Sequence, residues 1–233
     1  MHGCLSHGLV RPVGSAPMQR LVIFDLDNTL VDRQGPLADW VSAFSKQHAL
    51  NDDARLHLLQ FVRERACPET FEAIRDQYGL ATSAATLWSD YLAHMARSAT
   101  CPTYVLKGLS TLRRDGWKIV IATNGGTEIQ TAKATASGIV DHVDAVYTSE
   151  AAGARKPEVL IFEKAAAGCG ADLSLGGWVV GDGADTDIRG GRAAGLRTIW
   201  ISGSRPWPGR DIAPDHITAD VRQAIELLLT TES

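Results

Sequence analysis

Two carboxylates separated by a single leucine follow an apolar run near the start of the sequence. The run at residues 21–24 (LVIF) precedes Asp25 and Asp27, and such a continuous apolar stretch is typical of a strand buried on both faces of a parallel sheet. Ligands bind such sheets beyond the carboxyl ends of the strands. A single aspartate after a strand commonly caps the next segment, but two at this spacing favour a functional site.

Further residues near the ends of later predicted strands could complete this site: Thr123, Asn124, Gly125, Lys156, Asp182 and Asp187. Clustered carboxylates repel one another, and a divalent cation among them stabilises the arrangement. Oxygen ligands without His or Cys favour a hard ion such as Mg²⁺. A lysine supplies positive charge for phosphate oxygens, and backbone N–H groups at a helix start favour an anion. The pattern therefore predicts a magnesium-dependent site for a phosphate group.

Each of these residues also has a simpler interpretation. Thr123 is at a position where threonine commonly caps a helix, Lys156 before a proline is typical of a solvated surface lysine, and Asp182 after a glycine is typical of a turn. Their appearance together, in this order and on alternate strands of one predicted sheet, favours the functional interpretation.

Strands alternate with helices from about residue 103 onward. The predicted strands are 117–124, 143–147, 178–182 and 197–201, and the predicted helices are 107–115, 127–137, 158–167, 186–194 and 219–230. This alternation predicts right-handed crossovers and an α/β fold, a doubly wound parallel sheet with helices on both faces.

A segment with only helical periodicity separates the first strand from this series. Its apolar residues predict about four helices, inserted above the carboxyl edge of the sheet. We therefore divide the chain into an α/β core domain of residues 18–32 and 103–233 and a helical cap domain of residues 33–102. Residues 1–17 lack a hydrophobic period and the layout of a signal peptide, and are expected to be a disordered N-terminal extension. Met18 offers an alternative start of translation.

Composition narrows the class of protein. The 233 residues are 45% hydrophobic and 21% charged, as in soluble globular proteins. The net charge of -4 gives no electrostatic reason to expect nucleic acid or an anionic membrane as a partner. The four cysteines are far apart and form no CxxC pair, which predicts reduced thiols in a cytoplasmic protein and argues against zinc. We expect a monomer or homodimer.

The residues at the predicted strand ends fall into four short motifs, which in this order resemble those of the haloacid dehalogenase (HAD) superfamily of phosphohydrolases. Residues 24–30 (FDLDNTL) match the first motif, a strand followed by DxD and a threonine, and residues 121–125 (IATNG) match the second. Lys156-Pro157 matches the third motif, and residues 180–187 (VGDGADTD) match the fourth. The resemblance covers about residues 20–233 and implies a Rossmann-like core with an inserted all-helical cap.

The resemblance also implies a role for each matching acidic residue. Asp25 would be the nucleophile that forms an aspartyl-phosphate. Asp27 would protonate the leaving alcohol and then accept a proton from water, and partial burial under the cap would let it retain that proton. Asp25, the backbone carbonyl of Asp27 and Asp182 would hold Mg²⁺, with Asp187 supporting that shell.

The phosphate side of the site follows from the second and third motifs. Thr123 and Lys156 would bind the transferring phosphoryl group, with Asn124 and the amide of Gly125 as further phosphate-binding groups. The expected function is Mg²⁺-dependent hydrolysis of a small phosphate monoester through a phosphorylated Asp25. The dehalogenases of the family attack carbon without a second carboxylate, so the presence of Asp27 favours phosphorus.

Three other functions stay open alongside a dehalogenase: a phosphomutase, a catalytically silent phosphate- or metal-binding scaffold, and a phospho-receiver in signalling. The substrate also stays open among sugar phosphates, phosphoglycolate and nucleotide monophosphates. The candidate substrate contacts are Arg33, Gln34, Trp40, Phe44, Arg63, Arg65 and Tyr78.

Overall fold

Six strands form one parallel sheet in the computed structural model, which describes residues 19–64, 66–209 and 211–231. They are β1 (Leu21–Phe24), β2 (Lys118–Thr123), β3 (Ala145–Thr148), β4 (Trp178–Gly181), β5 (Arg197–Ile201) and β6 (His216–Thr218). The order across the sheet is β3-β2-β1-β4-β5-β6, which is the strand order of a Rossmann-like doubly wound fold. The predicted fold class is confirmed, whereas the predicted extension at residues 1–17 lies outside the described residues.

The helices within the described ranges fall into an inserted group and a group that covers the sheet. The inserted group is α1 (Gln34–Gln47), α2 (Asp52–Glu64), α3 (Pro68–Gln77) and α4 (Ala84–Ser98). The second group is α5 (Thr103–Arg114), α6 (Thr127–Ala136), α7 (Ser149–Ala152), α8 (Val159–Gly168), α9 (Arg189–Ala193) and α10 (Val221–Thr230).

The central strand β1 is buried on both faces, as its apolar run predicts. Val22 and Phe24 pack into one apolar cluster, with residues of α5 and α10. Leu21 and Ile23 pack into a second cluster on the opposite face, with residues of α8. Because successive side chains of a strand point to opposite faces, a strand covered on both sides needs an apolar residue at every position.

The inserted helices have an apolar core of their own. Trp40, Phe71 and Tyr91 meet there with ring centroids 5.1–5.7 Å apart, and Ile129 of α6 belongs to the same cluster. The insertion therefore packs directly on a helix of the sheet domain. Phe44 is also buried in this core, so Phe44 and Trp40 stabilise the insertion.

Three elements differ from the prediction, and one of them is α7, which has no predicted counterpart. The predicted helix 186–194 is a π-helical turn (Ala184–Ile188) followed by the short α9. The backbone N–H of Ile188 donates to the carbonyl of Gly183, a π-type hydrogen bond, and such turns are frequent at functional sites. The strand β6 was not predicted, because its three residues are too few to show a period.

Two further features of the described residues concern membrane-spanning helices and the state of the cysteines. Across the described ranges, no helix has both the length and the apolar character needed to cross a bilayer. Cys67, Cys101 and Cys169 are free and partly exposed.

Candidate active site

Asp25 lies at the carboxyl end of β1, where the sheet positions it directly. Its backbone N–H donates to the carbonyl of Val180 at 2.9 Å, which extends the pairing of β1 and β4 by one residue. The Asp25 side chain is buried, and the hydroxyl of Thr29 approaches its Oδ2 at 3.4 Å. The strand register therefore places a buried carboxylate at the edge of the sheet.

Lys156 connects two of the predicted site residues. Its Nζ lies 2.6 Å from Asp25 Oδ1 and 2.6 Å from Asp187 Oδ1, and its side chain is 3% exposed. Asp187 Oδ2 accepts from the backbone N–H of Gly183 at 2.9 Å, so the π-helical turn holds this carboxylate. The third and fourth motifs thus converge on Asp25, as the sequence predicts for parallel strand ends.

Burial and charge shift the protonation behaviour of this group. Burial, with repulsion from Asp187, raises the pKa of Asp25 to about 7 against the opposing effect of Lys156. Burial alone would lower the pKa of Lys156, but attraction to Asp187 and Asp25 outweighs it and raises that pKa. Burial and the nearby Asp187 also raise the pKa of Asp182. The carboxylates therefore repel one another, and added positive charge would stabilise their ionised forms.

The donor set suits a hard divalent cation. Oxygens of Asp25, Asp182 and Asp187 all lie within 4.8 Å of one another, and no histidine or cysteine belongs to this described group. Carboxylate oxygens with room for water are the ligands that Mg²⁺ prefers. The carboxylate of Asp27 is outside this group, and the ligand expected from Asp27 is its backbone carbonyl.

The residues of the second motif, Thr123, Asn124 and Gly125, differ in their contacts. Thr123 is buried at the end of β2 and is one of the residues that line the cavity described below. The side chain of Asn124 exchanges two hydrogen bonds with the backbone of Lys156, at 2.9 and 3.0 Å. The amide of Gly125 donates to Ser149 Oγ at 3.0 Å, so it is already paired. Asn124 and Gly125 thus order the loops around the predicted phosphate position.

Asp27 contacts residues that the sequence analysis missed. Lys133 Nζ lies 2.8 and 2.9 Å from its two carboxylate oxygens, and Gln130 Nε2 donates to Oδ2 at 3.2 Å. The Nε of Arg33 is 4.0 Å from the same oxygen. The Asp27 carboxylate is therefore held by a lysine and an amide donor, with a guanidinium nearby.

The sequence of α6 contains a pattern that could have identified Gln130 and Lys133. The buried positions of α6 are Ile129, Gln130, Lys133 and Ala134, which is the i, i+1, i+4, i+5 spacing of one helix face. A lysine and a glutamine on a face that also carries apolar residues indicate buried polar groups that need partners.

A cavity of about 710 Å³ opens above these residues. Its floor includes Asp25, Asp27, Lys156 and the acidic cluster, and its opposite wall comes from the inserted helices. That wall contains Arg63, Ala66, Cys67, Pro68, Trp88 and Tyr91. The cavity is therefore enclosed between the sheet edge and the insertion.

Some of the other candidate substrate contacts line the cavity, and others do not. Arg33 and Arg63 line the cavity, and the guanidinium of Arg33 also donates to the carbonyls of Val62 and Arg63 at 3.3–3.4 Å. Tyr78 donates its hydroxyl to the Ala54 carbonyl at 3.1 Å, within the inserted helices. Arg65 lies outside the described residues.

Comparisons with known proteins identify the family of this chain. The sequence profile of the haloacid dehalogenase-like hydrolases matches residues 19–195. The chain is 26% identical to the pyrimidine 5'-nucleotidase PynA of Streptococcus pneumoniae, over 78% of this chain and 84% of that protein. It is 29% identical to the phosphoglycolate phosphatase of Caulobacter vibrioides, over 90% of this chain and 92% of that protein. Several other curated phosphatases match over only about half of their own length.

Solved structures show the same fold. The HAD-hydrolase YfnB of Bacillus subtilis, solved with bound magnesium, superimposes with a TM-score of 0.74 at 21% identity, over 91% of this chain and 99% of that chain. Dehalogenases are also among the structural neighbours. At this level of identity, the likeness concerns the fold alone.

Proposed function

Because the chain belongs to the haloacid dehalogenase-like hydrolase family, we propose that it hydrolyses a phosphate monoester of a small metabolite. The observation that carries the proposal is the placement of Asp25. This buried carboxylate contacts Lys156 at 2.6 Å and faces a cavity that also contains Asp27 and Thr123. A nucleophile, an acid–base group and phosphate donors therefore share one enclosed space.

The proposed reaction has two steps. An oxygen of Asp25 forms a bond to phosphorus while the ester bond breaks, and the leaving oxygen receives a proton from Asp27. Water then attacks the phosphorylated Asp25, Asp27 accepts the proton of that water, and the Asp25 carboxylate is released. Dividing the hydrolysis into two displacements lets one acid–base residue serve both of them.

The phosphoryl group would be held by side chains already in place. Lys156 supplies a charge-assisted hydrogen bond to its oxygens, and Thr123 supplies a hydroxyl. We propose that Mg²⁺ is bound by Asp25, Asp182 and the backbone carbonyl of Asp27, with support from Asp187. When bound, the ion offsets the negative charge of the phosphoryl group and the carboxylates.

We further propose that residues 33–102 act as a cap over the core of residues 18–32 and 103–233. The support is the cavity itself, which is bounded by both parts of the chain. A cavity of about 710 Å³ is within the usual range for sites that bury a small molecule. A small phosphorylated metabolite therefore fits better than a folded protein.

The experiment that tests the proposal is hydrolysis of p-nitrophenyl phosphate with Mg²⁺ by the wild type and Asp25→Asn, followed by a panel of phosphorylated metabolites. We expect turnover by the wild type and nearly none by the variant. Activity that survives in Asp25→Asn would contradict the proposed role of Asp25 as the nucleophile. Folded wild type without turnover of any ester would favour a scaffold.

Three further measurements separate the remaining alternatives. Transfer of the phosphoryl group to a second hydroxyl of the substrate would indicate a mutase. Halide release from a 2-haloacid would indicate a dehalogenase. A phosphorylated Asp25 that persists for hours would indicate a receiver.

A further inference from the structure

Two buried polar side chains of α6 lie beneath the active site without a part in the reaction as described so far. Gln130 is 1% exposed and Lys133 is 3% exposed. They are three residues apart, so they lie on one face of the helix. Both contact Asp27, and both line the catalytic cavity.

Lys133 holds the Asp27 carboxylate by both oxygens. Its Nζ lies 2.8 Å from Oδ1 and 2.9 Å from Oδ2. A buried ammonium needs an anionic partner, and Asp27 is the partner found among the described residues. This contact fixes the orientation of the Asp27 carboxylate.

Gln130 connects Asp27 to the phosphate-binding threonine. Its Nε2 donates to Thr123 Oγ1 at 2.5 Å and to Asp27 Oδ2 at 3.2 Å. An ionised carboxylate only accepts, so Asp27 determines which end of the amide carries the nitrogen. The Thr123 hydroxyl accepts from this nitrogen, and its own hydrogen is left to be donated to another group.

We propose that Gln130 and Lys133 are positioning residues that preset Asp27 and Thr123 for hydrolysis of the phosphorylated Asp25. This inference rests on the proposed phosphatase function. In that step the oxygen of water forms a bond to phosphorus and its proton passes to Asp27. The bond between phosphorus and Asp25 breaks, and its electron pair returns to the Asp25 carboxylate. Lys133 holds Asp27 as the base, and Gln130 turns the Thr123 hydrogen toward the phosphoryl oxygens.

The first experiment follows p-nitrophenyl phosphate in rapid mixing, because p-nitrophenolate leaves without a proton and reports formation of the phospho-enzyme. In Lys133→Met, we expect a burst of p-nitrophenolate approaching one per active site, followed by a steady-state kcat reduced about 10²-fold, the scale expected when a catalytic group is misplaced by about 1 Å. A steady-state rate equal to that of the wild type would overturn the role of Lys133.

A double-mutant cycle separates positioning from a general effect on structure. Lys133→Met should cause no further loss of steady-state rate in the Asp27→Asn background, where the carboxylate it holds is gone. An equal loss in both backgrounds would overturn the proposal. Lys133→Gln, which removes the charge and shortens the side chain but stays polar, replaces the Met variant in this cycle if the latter does not fold.

Gln130 is tested by phosphate binding as well as by rate. Gln130→Met keeps the volume but removes the amide, and we expect weaker binding of inorganic phosphate by calorimetry, about tenfold on the scale of one neutral hydrogen bond. The same substitution should have no effect in the Thr123→Val background. Unchanged phosphate affinity of Gln130→Met in the otherwise wild-type protein would contradict its role.

The control is Lys164→Met, on α8, whose Nζ donates to the backbone carbonyl of Ala152 at 2.6 Å away from the cavity. It should keep the wild-type burst and rate. A wild type that binds phosphate but hydrolyses no ester would contradict the proposed function, while the Gln130 calorimetry would still decide the role of that residue.

Discussion

At the scale of single residues, Lys156 is the cation that contacts two of the buried carboxylates of the site. It contacts Asp25 and Asp187 at 2.6 Å each, and all three side chains are at most 10% exposed. Removing one partner from a buried ion pair leaves uncompensated charge, which costs about 3–5 kcal/mol. The geometry therefore makes Lys156 important for stability as well as for phosphate binding.

We expect Lys156→Met to lower the free energy of unfolding of the metal-free protein by about 3 kcal/mol. Urea denaturation at neutral pH measures this change. The double variant Lys156→Met/Asp187→Asn should regain part of the loss, because one of the two facing carboxylates is then neutral. A single variant as stable as the wild type would contradict this account.

Position 181 requires a glycine because its backbone lies close to the side chain of Asp187. A Cβ at this position would lie 2.3 Å from the Cγ of Asp187, so Gly181→Ala must displace the carboxylate. We expect a loss of about 1–3 kcal/mol and weaker Mg²⁺ binding, measured by urea denaturation and by calorimetry. Gly126→Ala is the matched control for stability, since its Cβ would meet no atom closer than 3.9 Å; an equal loss there would argue against the steric explanation.

The sequence predicts part of the site at this scale. Asp25, Lys156 and Asp187 could be brought together from sequence because parallel strands end at one edge of the sheet. Lys133 and Gln130 could not be assigned to Asp27, because that contact depends on how α6 is rotated against β1. The residue pattern of α6 indicates which face is buried, but it does not indicate which carboxylate that face would contact.

At the scale of elements, α4 joins the insertion to the active site. Tyr91 of this helix is 1% exposed, packs against Trp40 and Phe71, and also lines the cavity. Burial raises its pKa from 10.0 to about 12, partly offset by Arg33. A buried phenol of this kind makes the insertion sensitive to alkaline pH.

The sign of that dependence follows from proton binding. Between pH 10 and 12 the folded protein holds the Tyr91 proton more tightly than the unfolded chain does, so the free energy of unfolding falls as pH rises. We expect wild type to lose stability relative to Tyr91→Phe across this window, measured by urea denaturation at pH 9 and pH 11.5. A constant difference between the two proteins would exclude the effect.

At the scale of the whole molecule, the acidic cluster links ligand binding to stability. Asp25 directly follows β1, Asp182 directly follows β4, and Asp187 lies in the π-helical turn, so the three carboxylates meet only in the folded chain. A ligand that binds only the folded state stabilises it by about 2.7 kcal/mol at a hundred times its Kd.

We therefore expect Mg²⁺ to raise the Tm in a concentration-dependent manner, measured by calorimetry with and without a chelator. Asp182→Asn should reduce the shift, and Asp185→Asn is the matched control, since Asp185 is exposed and lies outside the cluster. Equal shifts in both variants would contradict the assignment of Asp182.

The fold was more predictable than the cavity. The alternation of strands and helices predicted the parallel sheet, because each crossover leaves a helix-period and a strand-period signature in the sequence. The placement of Arg63 and Trp88 opposite the catalytic residues depends on how the insertion packs on α6 through Ile129. That packing is set by shape complementarity between distant segments, which leaves no periodic signal.

The central position of β1 also affects the order in which the chain can assemble during synthesis. Leu21 pairs with Lys118, and Val22 pairs with Trp178, so β1 leaves the ribosome well before either of the strands that flank it. At about 5–20 residues per second, this delay amounts to several seconds or more. The inserted helices, made of contacts local in sequence, can form in that interval. The strand that carries Asp25 would then be docked late, between partners synthesised after it.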